Sequence, residues 1–266
     1  EMPFFKESKY IDEATRQELN MVLETGNQAY INAVITKVFD DEVELIDAAR
    51  ARREQMRMMM LTTGMISITA NGQDYDFDYQ VPASHKSTVS TSWSEVTSDI
   101  IGDIRTWQDK IQDDTGVRPS RAVCSRKTWG YFLANTGIRN AIWGNNAAAP
   151  VNDTKVMQYI MSELDLQLVV YTKRYKDESG NVQKYVADDI FVLFPEGKLG
   201  NTWFGTTQEE SDLMGGNAAN VSITDTGVAV TSIEKTDPVN VETKVTMICL
   251  PDFPTADQVY IADVIA

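Results

Sequence analysis

The chain is poor in the residues on which metal sites and most acid–base enzymes depend. Its 266 residues include one histidine and two cysteines, so a zinc site, which needs Cys and His at short spacing, is excluded. Cys124 and Cys249 lie far apart in runs that both read as buried strands, and the expectation is two free, inert thiols. No phosphate-cradling GxxxxGK[ST] and no GxSxG elbow occurs. No apolar run approaches the roughly 18–20 residues that cross a bilayer, and no signal-peptide pattern is visible; no membrane partner and no cofactor are expected. Cations are scarce as well: 24 Lys and Arg stand against 39 Asp and Glu, a formal net charge of −15. Coating DNA by counterion release requires clustered cations, so that class of function is excluded, and the acidity favours solubility. The chain starts at Glu1 rather than Met, as expected of a processed product or of a sequence that omits an upstream segment.

What is present is the pattern of a mixed α+β protein with no internal repeat. Residues 12–61 read as mostly helical, best over Asp40–Leu61. There Asp40, Asp41, Glu42 and Glu44 precede Arg50, Arg52, Arg53 and Arg57, a polarity that complements a helix dipole. Val43, Ile46, Ala49, Arg53, Met56 and Met60 follow helical spacing, and Arg53 within that stripe predicts a seam only partly buried. Gly64 ends the helix and Met65–Ala70 alternates as a strand, with Asn71-Gly72 as a hairpin turn. Ser92 with Glu95 has the form of a capping box. It opens a helix whose stripe is Val96, Ile100, Ile104, Trp107 and Ile111, stopped by Gly116. Arg121–Cys124 reads as a strand, and Ser125 leads into a helix with Trp129 and Phe132. Residues 135–151 read as loop, and Asp153 as the cap of a helix to Leu164. Leu168–Tyr171 and Ile190–Phe194 are β-branched or aromatic runs flanking the polar tip KDESGN. Val228, Val230 and Ile233 suggest a further strand, followed by Val245–Leu250 and Val259–Ile265.

Several local patterns invite chemistry and resolve into structure. Four methionines at 56 and 58–60 read as gap-filling core. Asp74, Asp76 and Asp78 alternate with Tyr75, Phe77 and Tyr79; a calcium loop would need Gly at its sixth position and Glu at its twelfth, where Tyr79 and His85 stand. A half-exposed strand with acids on one face explains the alternation. His85 beside Ser84 falls in a polar linker and reads as solvated, since adjacent residues do not make a triad. A hydrolase would have to use scattered carboxylates such as Asp188 and Asp189.

The order of the larger motifs resembles the major capsid protein E family of tailed bacteriophages, the lambda-type coat proteins. The resemblance rests on Trp93, on the segment Val123–Lys127, and on Lys127-Thr128-Trp129 with Phe132. It continues through Tyr171 with Tyr175, through Asp188-Asp189 to Leu199-Gly200, and ends at Met247–Asp252. It spans about 170 residues. It implies a Hong Kong 97-type coat fold of the α+β class. Residues 1–10 would form the returning strand of an extended hairpin, and 11–92 a peripheral domain with its spine helix at 40–61. Residues 93–215 would form the axial domain, and 216–266 would return to the peripheral domain. Family members carry an N-terminal arm and a full hairpin ahead of the spine, of which residues 1–10 would supply only part. The implied function is a non-enzymatic major head protein. It would assemble with itself into pentamers and hexamers of an icosahedral shell in the host cytoplasm and reside in the virion. Scaffold, portal and decoration proteins would be its partners, and double-stranded DNA would be enclosed without sequence-specific binding. An acidic wall that does not trap the nucleic acid it contains fits that role. An encapsulin-like shell around other cargo is the alternative. Interface residues expected on this resemblance are Arg50, Arg53 and Arg57 of the spine, and Arg139, Asn145 and Asn146 in the axial loop 139–152.

Overall fold

The computed structural model describes residues 2–11, 17, 21, 28–70, 73–144, 151–177, 179–213, 220–236 and 239–266. The first part of the chain forms β1 (Phe4–Ile11), α1 (Gln28–Thr63), β2 (Met65–Ala70), β3 (Gln73–Asp78) and β4 (Lys86–Thr88). Next come α2 (Ile100–Thr115), β5 (Arg121–Cys124), α3 (Arg126–Ala134), α4 (Thr136–Trp143), α5 (Asp153–Leu164) and β6 (Gln167–Val170). The remainder is β7 (Arg174–Lys176), β8 (Val182–Lys184), β9 (Ile190–Phe194), β10 (Thr202–Gly205), β11 (Asn220–Asp225), β12 (Val228–Thr236), β13 (Val239–Pro251) and β14 (Tyr260–Asp263). The chain divides into two units, the first from Glu1–Glu54, Ile68–Tyr75 and Thr202–Pro251, the second from Gln55–Ser67, Asp76–Asn201 and Asp252–Ala266.

The first unit is built on an antiparallel sheet in the order β1-β13-β12-β11, with β10 also paired to β13. Period-2 alternation along β13 divides its residues between two faces. Val245, Met247 and Cys249 are buried on one, beside Val228 and Val230 of β12. Lys9 and Asp225 project from that same face by register and bond to α1. Lys9 Nζ donates to Asp41 at 2.8 Å and also to Glu44. Arg50 and Arg53 donate to Asp225 Oδ2 at 3.1 and 3.2 Å. The helix therefore lies along the apolar face. The opposite face carries Lys6, Glu242, Lys244 and Thr246 among apolar residues and is met by the 207–209 segment, where Thr246 bonds to Thr207 and Lys6 pairs with Glu209 at 2.9 Å.

The helix begins well before Asp40, so the acids at 40–44 occupy mid-helix rather than a first turn. Of these acids, Asp41 and Glu44 bond to Lys9 of β1. Leu45, Ile46 and Ala49 are buried, whereas Val43, expected in the stripe, is exposed. Met56, Met58 and Met60 are core as expected. Gly64, at φ +75°, ends the helix in the left-handed conformation.

The second unit carries the mixed sheet β4-β14-β9-β5-β6, in which β4–β14 and β5–β6 are parallel and the other pairs antiparallel. Helices α2 to α5 enclose a core with Trp93, Trp107, Trp129, Phe132 and Phe191 at its centre. Each helix starts on a side-chain cap: Asp99 accepts from Gly102 N–H, Ser125 from Thr128, Asn135 from Ile138 and Asn152 from Lys155. Such caps satisfy backbone donors that a helix cannot satisfy itself.

Four local expectations change here. The helix read from Ser92 starts at Ile100, because Trp93 N–H is already committed to Val264 O at 2.9 Å and residues 92–98 form turns. Trp93 is thus buried from a non-helical segment, and Val96 is exposed. Residues 136–143, read as loop, are helical because Asn135 caps them and Ile138 enters the core. Asn152, not Asp153, caps α5. His85 is buried rather than solvated, at 1% exposure; its Nε2 lies 3.0 Å from Asp114 Oδ2 and its ring stacks on Tyr260. Cys124 and Cys249 are buried and not joined in a disulfide, and burial pushes the Cys124 pKa up to about 12.

Candidate assembly surfaces

The expected interface arginines fall into distinct settings. Arg53 is largely covered, its guanidinium held by Asp225 and the Thr226 carbonyl and lying over the Phe204 ring. Arg50 is more exposed and is shared between Asp225 and Asp47. Both therefore contribute first to fastening α1 on its sheet. Asp225 was not singled out by sequence reasoning, although the Asp225-Thr226-Gly227 turn that positions it is a recognisable hairpin signal. Its carboxyl is held below the usual range by the Thr226 N–H, then by Arg50 and Arg53. Arg57 is exposed. Arg139 lies in α4 and its Nε donates to Leu133 O at 2.8 Å. Asn145 and Asn146 lie outside the described residues, as does the hairpin turn expected at Asn71-Gly72.

A depressed carboxyl pKa stabilises the fold above the unfolded value and is lost as pH falls through the folded value. Asp225→Asn is expected to lower urea stability at pH 7 by about 1 kcal/mol or less, since the pairs are partly solvated. That difference should close as pH is taken below about 4, the ordinary aspartate value. A deficit unchanged at low pH would mean that the charge is not what matters.

Asp188 and Asp189, named above as hydrolase carboxylates, are structural fasteners. Asp188 accepts from Ser125 Oγ at 2.9 Å and pairs with Lys184 at 2.6 Å. Asp189, at φ +67°, accepts from Lys127 at 2.6 Å and Tyr131 Oη at 2.7 Å. Together they hold the start of β9 against the first turns of α3. Ser84 is exposed while His85 faces Asp114, so these neighbours form no dyad. Among the described residues no group of His, Cys, Asp and Glu is placed to hold a metal ion, and no helix is long and apolar enough to cross a membrane.

Two hairpins carry exposed charges in rows. In β3, Asp74, Asp76 and Asp78 are exposed and alternate with half-buried Tyr75, Phe77 and Tyr79, as the sequence predicts. In β7 and β8, Arg174, Lys176, Val182 and Lys184 are exposed. By register they share one face, because Arg174 lies opposite Lys184 and Lys176 opposite Val182. Tyr175 lies on the other face, packed on Tyr185 and receiving a 3.0 Å hydrogen bond from Gln55 of α1.

The family model for phage major capsid protein E matches residues 1–264. The chain belongs to the phage major capsid protein E family. Its function is accordingly that of a shell-forming structural protein of the virion. Solved structures agree on the fold. One described as a prophage capsid protein from Escherichia coli CFT073 superposes with a TM-score of 0.70 at 16% identity, covering 99% of this chain and 77% of that one. A phage-related protein from Bordetella bronchiseptica RB50 gives 0.56 at 12% identity, over 99% and 75%. The capsid of Myoviridae phage XM1 gives 0.50 at 11%, over 98% and 73%. The architecture is the Hong Kong 97-type α+β coat fold. No curated protein sequence matches the chain.

Proposed function

We propose that this capsid protein is the major head protein of a tailed bacteriophage, assembling as pentamers and hexamers of an icosahedral shell that encloses double-stranded DNA. The observation that carries this reading is the family match over 264 consecutive residues, supported by the coat fold. Closed shells arise when one surface of a subunit meets a different surface of the next and the rotation closes. Contacts that are individually modest become strong when several are engaged at once. The formal charge of −15 suits a wall that surrounds DNA without gripping its sequence. In this reading residues 11–92 and 216–266 serve as the peripheral domain, residues 93–215 as the axial domain, and residues 1–10 as the returning strand of the extended hairpin. Arg57, Arg139, Asn145 and Asn146 face neighbouring subunits, while Arg50 and Arg53 contribute by fixing the spine. Scaffold, portal and decoration proteins are its partners during assembly in the bacterial cytoplasm.

Sedimentation with negative-stain microscopy of the purified chain tests the proposal. Uniform hollow shells, or rings of five and six, are the expected result, and DNA rather than an enzyme is the expected cargo in infected cells. A chain that stays monomeric at full length, with its scaffold supplied, overturns it.

A further inference from the structure

The β7–β8 hairpin stands out against the acidity of the rest of the chain. Lys173, Arg174 and Lys176 are exposed, and among the described residues none of them pairs with a carboxylate of its own chain. Lys184 on the same face is already satisfied by Asp188 at 2.6 Å. The hairpin's other face is occupied, since Tyr175 packs on Tyr185 and bonds to Gln55. The basic face, with exposed Val182 at its edge, is therefore the one turned outward. An aromatic platform for stacking bases is missing from it, because the hairpin's tyrosine lies on the opposite side.

The complementary surface exists on the same protein. Asp74, Asp76 and Asp78 form an exposed row on β3, and among the described residues none is in an ion pair. Asp74 accepts from Thr69 Oγ1 and Asp78 from Gln80 N–H, bonds that hold the carboxylates in place without neutralising them. Arg174 and Lys176 are separated by the same two-residue strand repeat as Asp74 and Asp76, about 6.7 Å. Two such strands can align cation to carboxylate at successive positions.

We propose that the Arg174–Lys176 face of one subunit docks on the Asp74–Asp76–Asp78 face of a second copy of this chain, a heterologous contact that propagates head to tail. The inference rests on the shell-forming reading above and adds a specific pair of surfaces to it. Opposed charges of this kind set register and exclude wrong partners more than they add raw affinity. Repetition around a ring makes the small contribution of each pair decisive. At 0.1 M salt the screening length is about 10 Å, so contact pairs persist while longer-range repulsion between acidic subunits is damped.

The test uses the wild-type chain, the double variant Arg174→Glu/Lys176→Glu, the double variant Asp76→Lys/Asp78→Lys, and the quadruple variant carrying both pairs. Circular dichroism and urea midpoints confirm that each folds, and sedimentation measures the assembled fraction. A wild type that does not assemble at full length, with its scaffold supplied, overturns the shell reading and this proposal with it. With an assembling wild type, each double variant is expected to lose at least about tenfold of its assembled fraction, and the quadruple variant to recover most of it. Folded double variants that assemble like wild type overturn the proposal, as does a folded quadruple variant that stays as defective as its parents. A short DNA duplex is the remaining probe. If the Arg174→Glu/Lys176→Glu variant assembles normally but no longer retains that duplex, the basic face serves nucleic acid and the subunit contact is overturned.

Discussion

Replacing Trp93 with alanine is expected to destabilise the chain by about 3–5 kcal/mol, the range for removing a large aromatic side chain from a core. Trp93 is 1% exposed. Its ring stacks on Trp107 at 5.6 Å and meets Phe132 and Phe191 edge-on at 5.2 and 5.3 Å. Its indole N–H donates to Asp103 Oδ2 at 2.9 Å. Burial raises the Asp103 pKa, while that hydrogen bond and the Asp99 charge act as smaller influences. The substitution thus opens a cavity among rings and removes the donor from a partly buried carboxyl. Trp93→Phe keeps most of the ring contacts and should cost much less, on the order of 1–2 kcal/mol. Urea unfolding followed by near-ultraviolet circular dichroism separates the two. A loss below about 1 kcal/mol for the alanine variant would show that the aromatic cluster does not depend on Trp93.

Gly227→Ala is expected to cost about 2–3 kcal/mol through two effects that act together. Gly227 has φ +70°, where a side chain is strained, and a Cβ there would stand 2.0 Å from Phe204 Cδ1. Phe204 cannot yield freely, because it pairs with Cys249 across β10 and β13 and lies beneath the Arg53 guanidinium. Displacing it loosens the fastening of α1 at Asp225 as well. Gly116→Ala is the control: its φ is +76°, yet nothing lies within 4 Å of the added Cβ. That variant should lose only the conformational part, about 1 kcal/mol. Equal urea midpoints for the two variants would show that contact with Phe204 contributes nothing.

The sequence by itself determined the elements whose side chains repeat at a regular period. The methionine-rich end of α1, the Ile100–Ile104–Trp107–Ile111 stripe, the strands at Arg121–Cys124 and Ile190–Phe194, and the acid–aromatic alternation of β3 were all legible. Burial on one face imposes those periods directly. The family, too, was legible in the order of the motifs. Only the tertiary structure decided matters that hang on partners distant in the chain. Trp93 looked like the first turn of a helix until Val264 claimed its N–H. Asp41 and Glu44 have the look of a helix start, yet they sit in mid-helix and bond to Lys9, more than 30 residues earlier. His85 read as solvated because a lone polar residue among serines carries no sign of Asp114 and Tyr260 waiting to cover it. Arg50 and Arg53 looked available to neighbours, yet Asp225 lies within their reach only because the β11–β12 turn closes there. Local periodicity records which face an element buries; the identity of what covers that face comes from chain segments 29 to 175 residues apart, and folding alone brings them together.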